Sequence, residues 1–344
     1  MNHTTSISEP SDRLAFFPIN LFGAIMGWAG LTLVFISMHH ILNISSYIPL
    51  SMTILTTLFF SLISLTYLMK IVKHPQAMLK EFNHPVAMNF FPAFSISLVL
   101  LGVIYSFYQM DIGQVFWTLG ASIQLFLTII IISNWIHHEK WQVNHLNPAW
   151  FIPVVGNIIV PLGTPLYAPL EIGWFFFSIG IVFWIILQTI VFYRLFFHPP
   201  MLKTLEPLLF ILIAPPAIGF SAYLHLNGGD LDILARILYY TALFFAILLM
   251  VQTPRFLRVP FSLSWWAFTF PLAALALASL KMFALLEFSI FSIFSALFTA
   301  IVSALILHLT LKTLNAIRHK KLCVPPPKAL QDVAQQTETQ KEQN

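Results

Sequence analysis

Long apolar runs, separated by short polar stretches, recur along the whole chain. As an α-helix, a run of about 20 apolar residues crosses a hydrocarbon core of about 30 Å. A membrane β-barrel would instead show short segments in which apolar and polar residues alternate. The pattern therefore predicts an all-α polytopic membrane protein with ten transmembrane helices. The predicted spans are 15–39, 48–70, 86–108, 113–136, 148–168, 171–194, 206–226, 232–252, 262–282 and 287–312.

The predicted spans fall into two classes. Each odd-numbered span contains a proline in a short apolar context, such as FFPIN at 16–20 and TFPLA at 269–273, whereas the interiors of the even-numbered spans contain none. Proline frees backbone groups that protein or water, rather than lipid, must satisfy. We therefore expect five helical hairpins, with the odd helices forming an inner pore ring and the even helices an outer ring. The alternative is that proline is simply common in membrane helices. The five prolines are Pro18, Pro92, Pro153, Pro215 and Pro271.

Composition agrees with a lipid environment. Hydrophobic residues make up 58% of the chain and charged residues only 9%, and the mean hydropathy is +0.83. A soluble domain carries about 25% charged residues. The single cysteine, Cys323, lies in a polar tail, so neither an internal disulfide nor a thiolate metal cluster can form.

The basic residues indicate the orientation. With a cytoplasmic N-terminus, all but Arg236 and Lys281 of the 17 Lys and Arg residues fall on the cytoplasmic side, as the positive-inside rule requires. Both termini are therefore predicted to be cytoplasmic. We expect a short N-terminal segment at 1–14, a transmembrane channel or transporter domain at 15–312, and a C-terminal tail at 313–344. The polar, Gln/Glu/Lys-rich composition of the tail predicts that most of it is disordered.

Signs of enzyme chemistry are missing. The 12 histidines include no pair that must meet at mid-membrane, and the chain lacks a nucleophile elbow, a phosphate loop and an HExxH motif. The acidic residues at span edges are explained by helix capping, because free N–H groups and the helix dipole favour a carboxylate there. We expect no enzymatic activity, no cofactor, no metal site and no nucleic-acid partner. The edge residues are Glu171, Glu206, Asp232 and Glu287.

The odd spans predict a mostly apolar pore wall. Such a wall binds ions weakly and passes weakly hydrated anions most easily, and an aromatic ring can occlude it. Phe270, directly before Pro271, is the leading candidate for the gate; the alternative is that it packs between helices. Lys281, at the outer end of the ninth span, would attract anions or is an interfacial snorkelling lysine. Besides the five prolines, the predicted lining residues are Phe22, Phe94, Asn157, Phe220 and Thr269.

Four stretches resemble the tellurite-resistance/dicarboxylate transporter family, which includes bacterial TehA-like proteins and plant slow anion channels. They are FFPINLFGAIMGWAGL at 16–31, FNHPVAMNFFPAF at 82–94, LEPLLFILIAPPAIGFSAYL at 205–224 and SWWAFTFPLA at 264–273, and the resemblance covers about residues 15–312. It implies ten helices in five hairpins around a central pore, a homotrimer with one pore per subunit, and a gating phenylalanine in the ninth helix. In WAFTF this position falls on Phe270 and not on Phe268.

Two departures from the family pattern stand out. The N-terminal segment of about 15 residues is too short for the kinase-regulated domain of the plant channels. The first span has Gly23, Ala24 and Gly27 where some relatives have a mid-helix proline, which predicts a weaker kink in that span.

Two functions remain open at this point. The first is an anion-selective channel or uniporter whose pore Phe270 occludes. The second is a proton-coupled or exchange carrier for C4-dicarboxylates such as malate, for sulfite or for tellurite-type oxyanions. The absence of mid-membrane carboxylates favours the first. The bacterial TehA-like relatives make a multi-pass protein of the bacterial inner membrane the expected setting.

Overall fold

A computed structural model describes residues 13–138 and 141–323. Within these ranges the chain forms α-helices and 3₁₀ segments and no strands. The α-helices are α1 (Phe22–Leu42), α2 (Tyr47–Lys73), α3 (Pro75–Asn83), α4 (Pro92–Ser106), α5 (Ile112–His137), α6 (Phe151–Val155), α7 (Thr164–Tyr167), α8 (Leu170–Phe197), α9 (Ala214–Leu226), α10 (Ile233–Val251), α11 (Thr253–Phe256), α12 (Thr269–Leu286) and α13 (Ser289–Arg318).

The described chain contains nine helical stretches long and apolar enough to cross a membrane, which confirms a polytopic helical membrane protein. A shorter apolar stretch, Pro148–Leu162, stands at the fifth predicted span and is followed by α7. It combines α6 with 3₁₀ turns on either side. The count of ten spans therefore stays a prediction, and the fifth is irregular because prolines at 148, 153 and 161 interrupt the α-helical hydrogen bonds.

Burial separates the two classes of segment. In the long odd-numbered stretches, 72–83% of the residues in the most apolar window are buried, against 22–39% in the even-numbered ones. Residues 148–164 of the fifth segment are all buried. The even helices instead present large apolar side chains outward, for example Leu58, Leu62 and Leu65 of α2 at 59–60% exposure. Such a surface is compatible with lipid rather than water.

The odd-numbered segments share a change of helix type near their prolines. Pro18 precedes the 3₁₀ turn Ile19–Leu21, which leads into α1. Pro92, Pro215 and Pro271 lie in the first turns of α4, α9 and α12, each of which follows a 3₁₀ stretch. In the first turn of an α-helix the backbone N–H groups have no acceptor within the helix, so a proline there removes no helical hydrogen bond. The expected kink thus takes the form of a transition from 3₁₀ to α geometry.

Neighbouring odd and even helices pack as antiparallel pairs, most closely where glycines allow it. α4 lies on α5, α1 on α2, and α12 on α13. A Cβ atom at Gly120 of α5 would lie 2.7 Å from the backbone nitrogen of Val99 in α4. Small residues allow the close approach on which helix association in lipid depends.

The structure differs from the sequence prediction at several element ends. The predicted loop after the second span contains the amphipathic helix α3, and α13 continues to Arg318 instead of ending near 312. Glu287, expected at a helix N-terminus, is the left-handed C-cap of α12 with φ 57°. Asp232 is confirmed as an N-cap, since its carboxylate accepts the N–H of Ala235. Most of the predicted terminal segments, 1–12 and 324–344, lies outside the described residues.

Candidate functional site

A cavity of about 70 Å³ lies among the odd-numbered segments. Its wall takes residues from all five of them, for example Asn20, Phe90, Gly156, Pro215 and Phe270. Among the described residues, none from an even-numbered helix reaches this wall. A space of this size holds a few water molecules or one small ion.

The cavity wall is almost entirely apolar and carries no ionisable side chain among the described residues. Three of its side chains have a polar atom, and two of those have partners. The indole N–H of Trp266 donates to Oγ1 of Thr313 at 3.2 Å, and Oγ of Ser264 donates to the Thr204 carbonyl oxygen. The third is Asn20, whose Oδ1 is buried without a hydrogen-bond partner in the described chain.

The two phenylalanines of the WAFTF stretch have different surroundings. Phe270 lines the cavity, and glycine at position 30 makes room for its ring, since a Cβ there would lie 3.3 Å from Cδ2 of Phe270. Phe268 packs edge-on against Phe210, with ring centroids 4.6 Å apart, and contacts Phe256. Of the two, only Phe270 reaches the cavity wall.

The structure divides the ten residues predicted to line the pore. Pro215 and Pro271 lie in the cavity wall together with Phe270. The other eight lie outside this wall, where ring packing or hydrogen bonds engage several of them. They are Pro18, Phe22, Pro92, Phe94, Pro153, Asn157, Phe220 and Thr269.

The predicted phenylalanines outside the wall belong to aromatic contacts between helices. Phe22 and Phe94 meet edge-on with centroids 5.2 Å apart, and both contact Phe60 of α2. Phe220 packs against Tyr239 of α10 at 5.6 Å. These rings join odd-numbered to even-numbered helices, and Phe22 and Phe220 are buried in those contacts while Phe94 is partly buried. A lining role for the three rings stays a prediction.

A buried polar network holds the irregular fifth segment. Pro153 lies just before the change to 3₁₀ geometry at Gly156, and its carbonyl accepts hydrogen bonds from Gln124 Nε2 and Thr128 Oγ1 of α5. Asn157 donates to Oγ1 of the same threonine at 2.9 Å. Side chains of the fourth segment thus satisfy backbone groups that a continuous α-helix would pair internally.

Thr269 and Pro92 also take part in local hydrogen bonds or helix packing. The Thr269 hydroxyl donates to the Trp266 carbonyl at 2.7 Å, and its side chain fills the space left by Gly27 of α1. The Pro92 carbonyl accepts from Ser95 at 2.8 Å.

Lys281 forms a contact that the sequence did not indicate. Its ammonium group lies 2.9 Å from Nε2 of His225. Lys281 lies in the C-terminal part of α12 and His225 in the last turn of α9. The lysine is not part of the cavity wall. Nε2 of a neutral histidine can accept a hydrogen bond from an ammonium group.

A buried ion pair anchors the start of the first segment. Lys70 of α2 is 2% exposed and donates to the Glu81 carboxylate at 2.6 Å and to the Phe17 carbonyl at 2.7 Å. Glu81 of α3 also accepts the Ile19 backbone N–H at 2.8 Å and the Tyr67 hydroxyl at 2.9 Å. The turn that leads into Asn20 is therefore fixed from two sides.

Ionisable groups elsewhere do not form a metal site within the described residues. No three His, Cys, Asp or Glu side chains come close enough to hold a metal ion.

Comparison with known proteins gives the family of the chain. Residues 16–314 match the SLAC1 family, described as voltage-dependent anion channels. The chain belongs to this family. The resemblance inferred from the four sequence stretches is thereby confirmed.

Individual relatives of the SLAC1 family come from archaea, plants and bacteria. The chain is 25% identical to an uncharacterized transporter of Methanocaldococcus jannaschii over 74% of this chain and 82% of that protein. It is 29% identical to the S-type anion channel SLAH2 of Arabidopsis thaliana over 79% of this chain and 54% of that channel. It is 26% identical to the tellurite resistance protein TehA homolog of Haemophilus influenzae over 80% of this chain and 82% of that protein.

Sequence reasoning missed the polar residue and most apolar residues of the cavity in this SLAC1-family chain. Asn20 was overlooked, although a polar residue two positions after the first-span proline was a usable signal. Phe90, Ile96 and Met26 carry no such signal, because one apolar residue among many in an apolar helix does not stand out. The Lys70–Glu81 pair was also missed, since α3 was not predicted.

Proposed function

We propose that this protein transports anions across the membrane through a central pore in each subunit, in a channel-like or uniport manner. The observation that carries the proposal is the cavity wall, which is drawn from the five odd-numbered segments and holds no carboxylate among the described residues. The relatives named as anion channels support it. A wall of this kind offers an anion little repulsion and weak binding, and conduction requires binding that is weak enough to allow exit.

Phe270 is the proposed gate of this pore. Its ring lies in the wall against Gly30, where α1 and α12 approach closely. A ring seated between two helices at a narrow apolar point blocks the pathway by occlusion and by excluding water. Movement of this one side chain is then enough to widen the pathway.

The charge distribution supports the orientation of the chain, and the family resemblance supports its membrane and its assembly. We propose a multi-pass protein of a bacterial inner membrane with both termini in the cytoplasm, a transmembrane domain of ten segments and a homotrimeric assembly. Lys281, held by His225 at the outer ends of α12 and α9, would supply positive potential at the outer mouth.

The test is a comparison of currents in liposomes or oocytes for wild type and Phe270→Ala, with chloride, nitrate, malate and sulfite. We expect the alanine variant to conduct more than the wild type, because the truncated side chain no longer fills the wall. Phe268→Ala is the matched control: its ring is packed in the aromatic cluster away from the cavity, so its currents should stay at the wild-type level.

The same experiment decides between the two modes of transport. If the wild type and Phe270→Ala both give only background currents for every anion, while proton-driven uptake of malate, sulfite or tellurite is measured, the protein is a coupled carrier and not a channel. Equal currents in the two phenylalanine variants would leave anion transport in place and remove Phe270 as the gate.

A further inference from the structure

Lys281 and His225 form a basic pair that joins two of the odd-numbered helices. The Lys281 ammonium group of α12 lies 2.9 Å from Nε2 of His225 in α9. Lys281 is only partly exposed, and no carboxylate of the described chain forms an ion pair with it. A charged group that has lost part of its water is normally paired with an opposite charge. The pair lacks that counter-charge, which an anion would supply.

Helix geometry relates both residues to the cavity wall. Lys281 follows Phe270 by 11 residues in α12, and His225 follows Ala214 by 11 residues in α9. Eleven residues make about three helical turns, so each later residue lies on the same helix face as the earlier one, about 16 Å further along the axis. Phe270 and Ala214 both line the cavity. Lys281 and His225 therefore lie on the two helix faces that line the cavity, about three turns toward the predicted outer side.

The position of the Lys281 ammonium group differs from that of a snorkelling lysine. A snorkelling side chain extends along apolar surface toward the lipid headgroups. The Lys281 ammonium instead ends on His225 of a second odd-numbered helix, and α9 and α12 pack directly against each other. Arg236, the other basic residue on the predicted outer side, is exposed on α10. The charge of Lys281 thus lies between two odd-numbered helices, whereas that of Arg236 lies on the outside of an even-numbered one.

We infer that Lys281 and His225 form an anion-binding site at the outer end of the pore, in which the ammonium group binds the anion and His225 positions the ammonium. An ammonium group has three donors. The bond to His225 uses one of them, so two remain for a small anion such as nitrate or chloride. Hydrogen bonds from a charged donor are about twice as strong as those between neutral groups. The role of this site in permeation rests on the proposed anion transport.

Binding at this site would feed the gate. A positive group at the end of a narrow pathway raises the local concentration of anions, here about three helical turns from Phe270. The cavity wall around Phe270 has no charged side chain among the described residues, so it holds an anion more weakly than the ammonium does. Strong binding at the entrance and weak binding in the pore allow an anion to enter and then to leave.

The first experiment measures anion currents in liposomes with the Phe270→Ala protein as the parent, while nitrate or chloride is varied on the outer side. Lys281→Met, added to the parent, keeps a side chain of similar length but removes the charge and the donors. Its half-saturating concentration should rise about tenfold, the loss expected for one hydrogen bond from a charged group.

Arg236→Met is the matched control, because it removes the other basic charge on the same side without touching the pair. Its half-saturating concentration should stay at the parent value. His225→Gln keeps an acceptor for the ammonium group and should bind anions as the parent does, whereas His225→Leu should raise the half-saturating concentration. A purely structural bond between α9 and α12 would change stability in both His225 variants and leave the half-saturating concentration alone.

Bromide gives a second readout that does not depend on current. Crystals of the wild-type protein soaked in bromide should show an anomalous peak within hydrogen-bond distance of Nζ of Lys281. The peak should be absent from crystals of Lys281→Met and present in those of Arg236→Met.

The outcomes separate the binding site from the proposed function. Anion currents with an unchanged half-saturating concentration in Lys281→Met, or wild-type crystals without bromide at Lys281, would overturn the site and leave anion transport standing. An equal rise in Arg236→Met would also overturn it, in favour of a general effect of surface charge. Bromide at Lys281 without any anion current in the parent would support the site and overturn the proposed function.

Discussion

Replacing Lys70 with methionine should destabilise the protein far more than a typical lysine substitution. The Lys70 side chain is 2% exposed, and its ammonium group forms two hydrogen bonds, one to Glu81 and one to the Phe17 carbonyl. Methionine fills a similar volume but donates nothing. Glu81, itself only 14% exposed, then keeps its Tyr67 and Ile19 donors but loses its counter-charge.

The magnitude follows from the burial of the two partners. Removing one member of a buried ion pair destabilises a protein by about 3–5 kcal/mol, because an uncompensated charge remains inside. The partial exposure of Glu81 places the expected loss at the lower end, about 3 kcal/mol. Adding Glu81→Gln to Lys70→Met removes the stranded charge, so the double variant should be more stable than Lys70→Met alone.

The assay is equilibrium unfolding in mixed micelles followed by tryptophan fluorescence. Lys73→Met, on an exposed lysine one turn along α2, is the matched control and should change stability by less than about 0.5 kcal/mol. Two results would refute the reasoning: a loss for Lys70→Met no larger than for Lys73→Met, or a double variant less stable than Lys70→Met.

Three further predictions concern packing, a buried network and pH. Gly27→Ala should destabilise by about 1–3 kcal/mol in the same unfolding assay, because its Cβ would lie 2.7 Å from Cβ of Thr269; a neutral effect would contradict the close helix contact. Gln124→Leu should cost about 1–3 kcal/mol, since the Pro153 carbonyl loses one of its two side-chain donors, and wild-type stability would show that this bond is dispensable. Burial lowers the pKa of His84 below its ordinary 6.5, opposed by Glu81 and assisted by His145. The unfolded chain therefore binds this proton more readily, so stability is full above pH 6.5 and falls as the pH drops below it. His84→Asn keeps an acceptor for the N–H groups of the next turn, and its melting temperature should depend less on pH between 7.5 and 5.5 than that of the wild type.

The pH prediction has a structural consequence near the cavity. Nδ1 of neutral His84 accepts the backbone N–H groups of Val86 and Ala87 at 3.2 and 3.3 Å. These begin the 3₁₀ turn that ends at Phe90, a residue of the cavity wall. Protonation removes the acceptor, so acidification loosens the turn that positions Phe90.

Composition and pattern determined the class of the protein. Runs of apolar residues long enough to span a bilayer, with few charges, leave lipid as the environment in which the chain can fold. The restriction of interior prolines to alternate segments separated the buried from the exposed helices, because irregular backbone is tolerated only where protein or water satisfies its polar groups. The match of WAFTF to a family pattern distinguished Phe270 from Phe268, and of the two only Phe270 reaches the cavity.

The tertiary structure decided which side chains face the cavity and which polar groups have partners. Helices that are apolar on all sides carry no periodic signal of orientation, so Phe22 and Phe94 looked as suitable for the pore as Phe270. The pairing of Lys70 with Glu81 depends on how α3 folds back against α2 and the first turn. The isolation of Asn20 is likewise visible only in three dimensions, because whether an amide has a partner is a property of its surroundings and not of its place in the sequence.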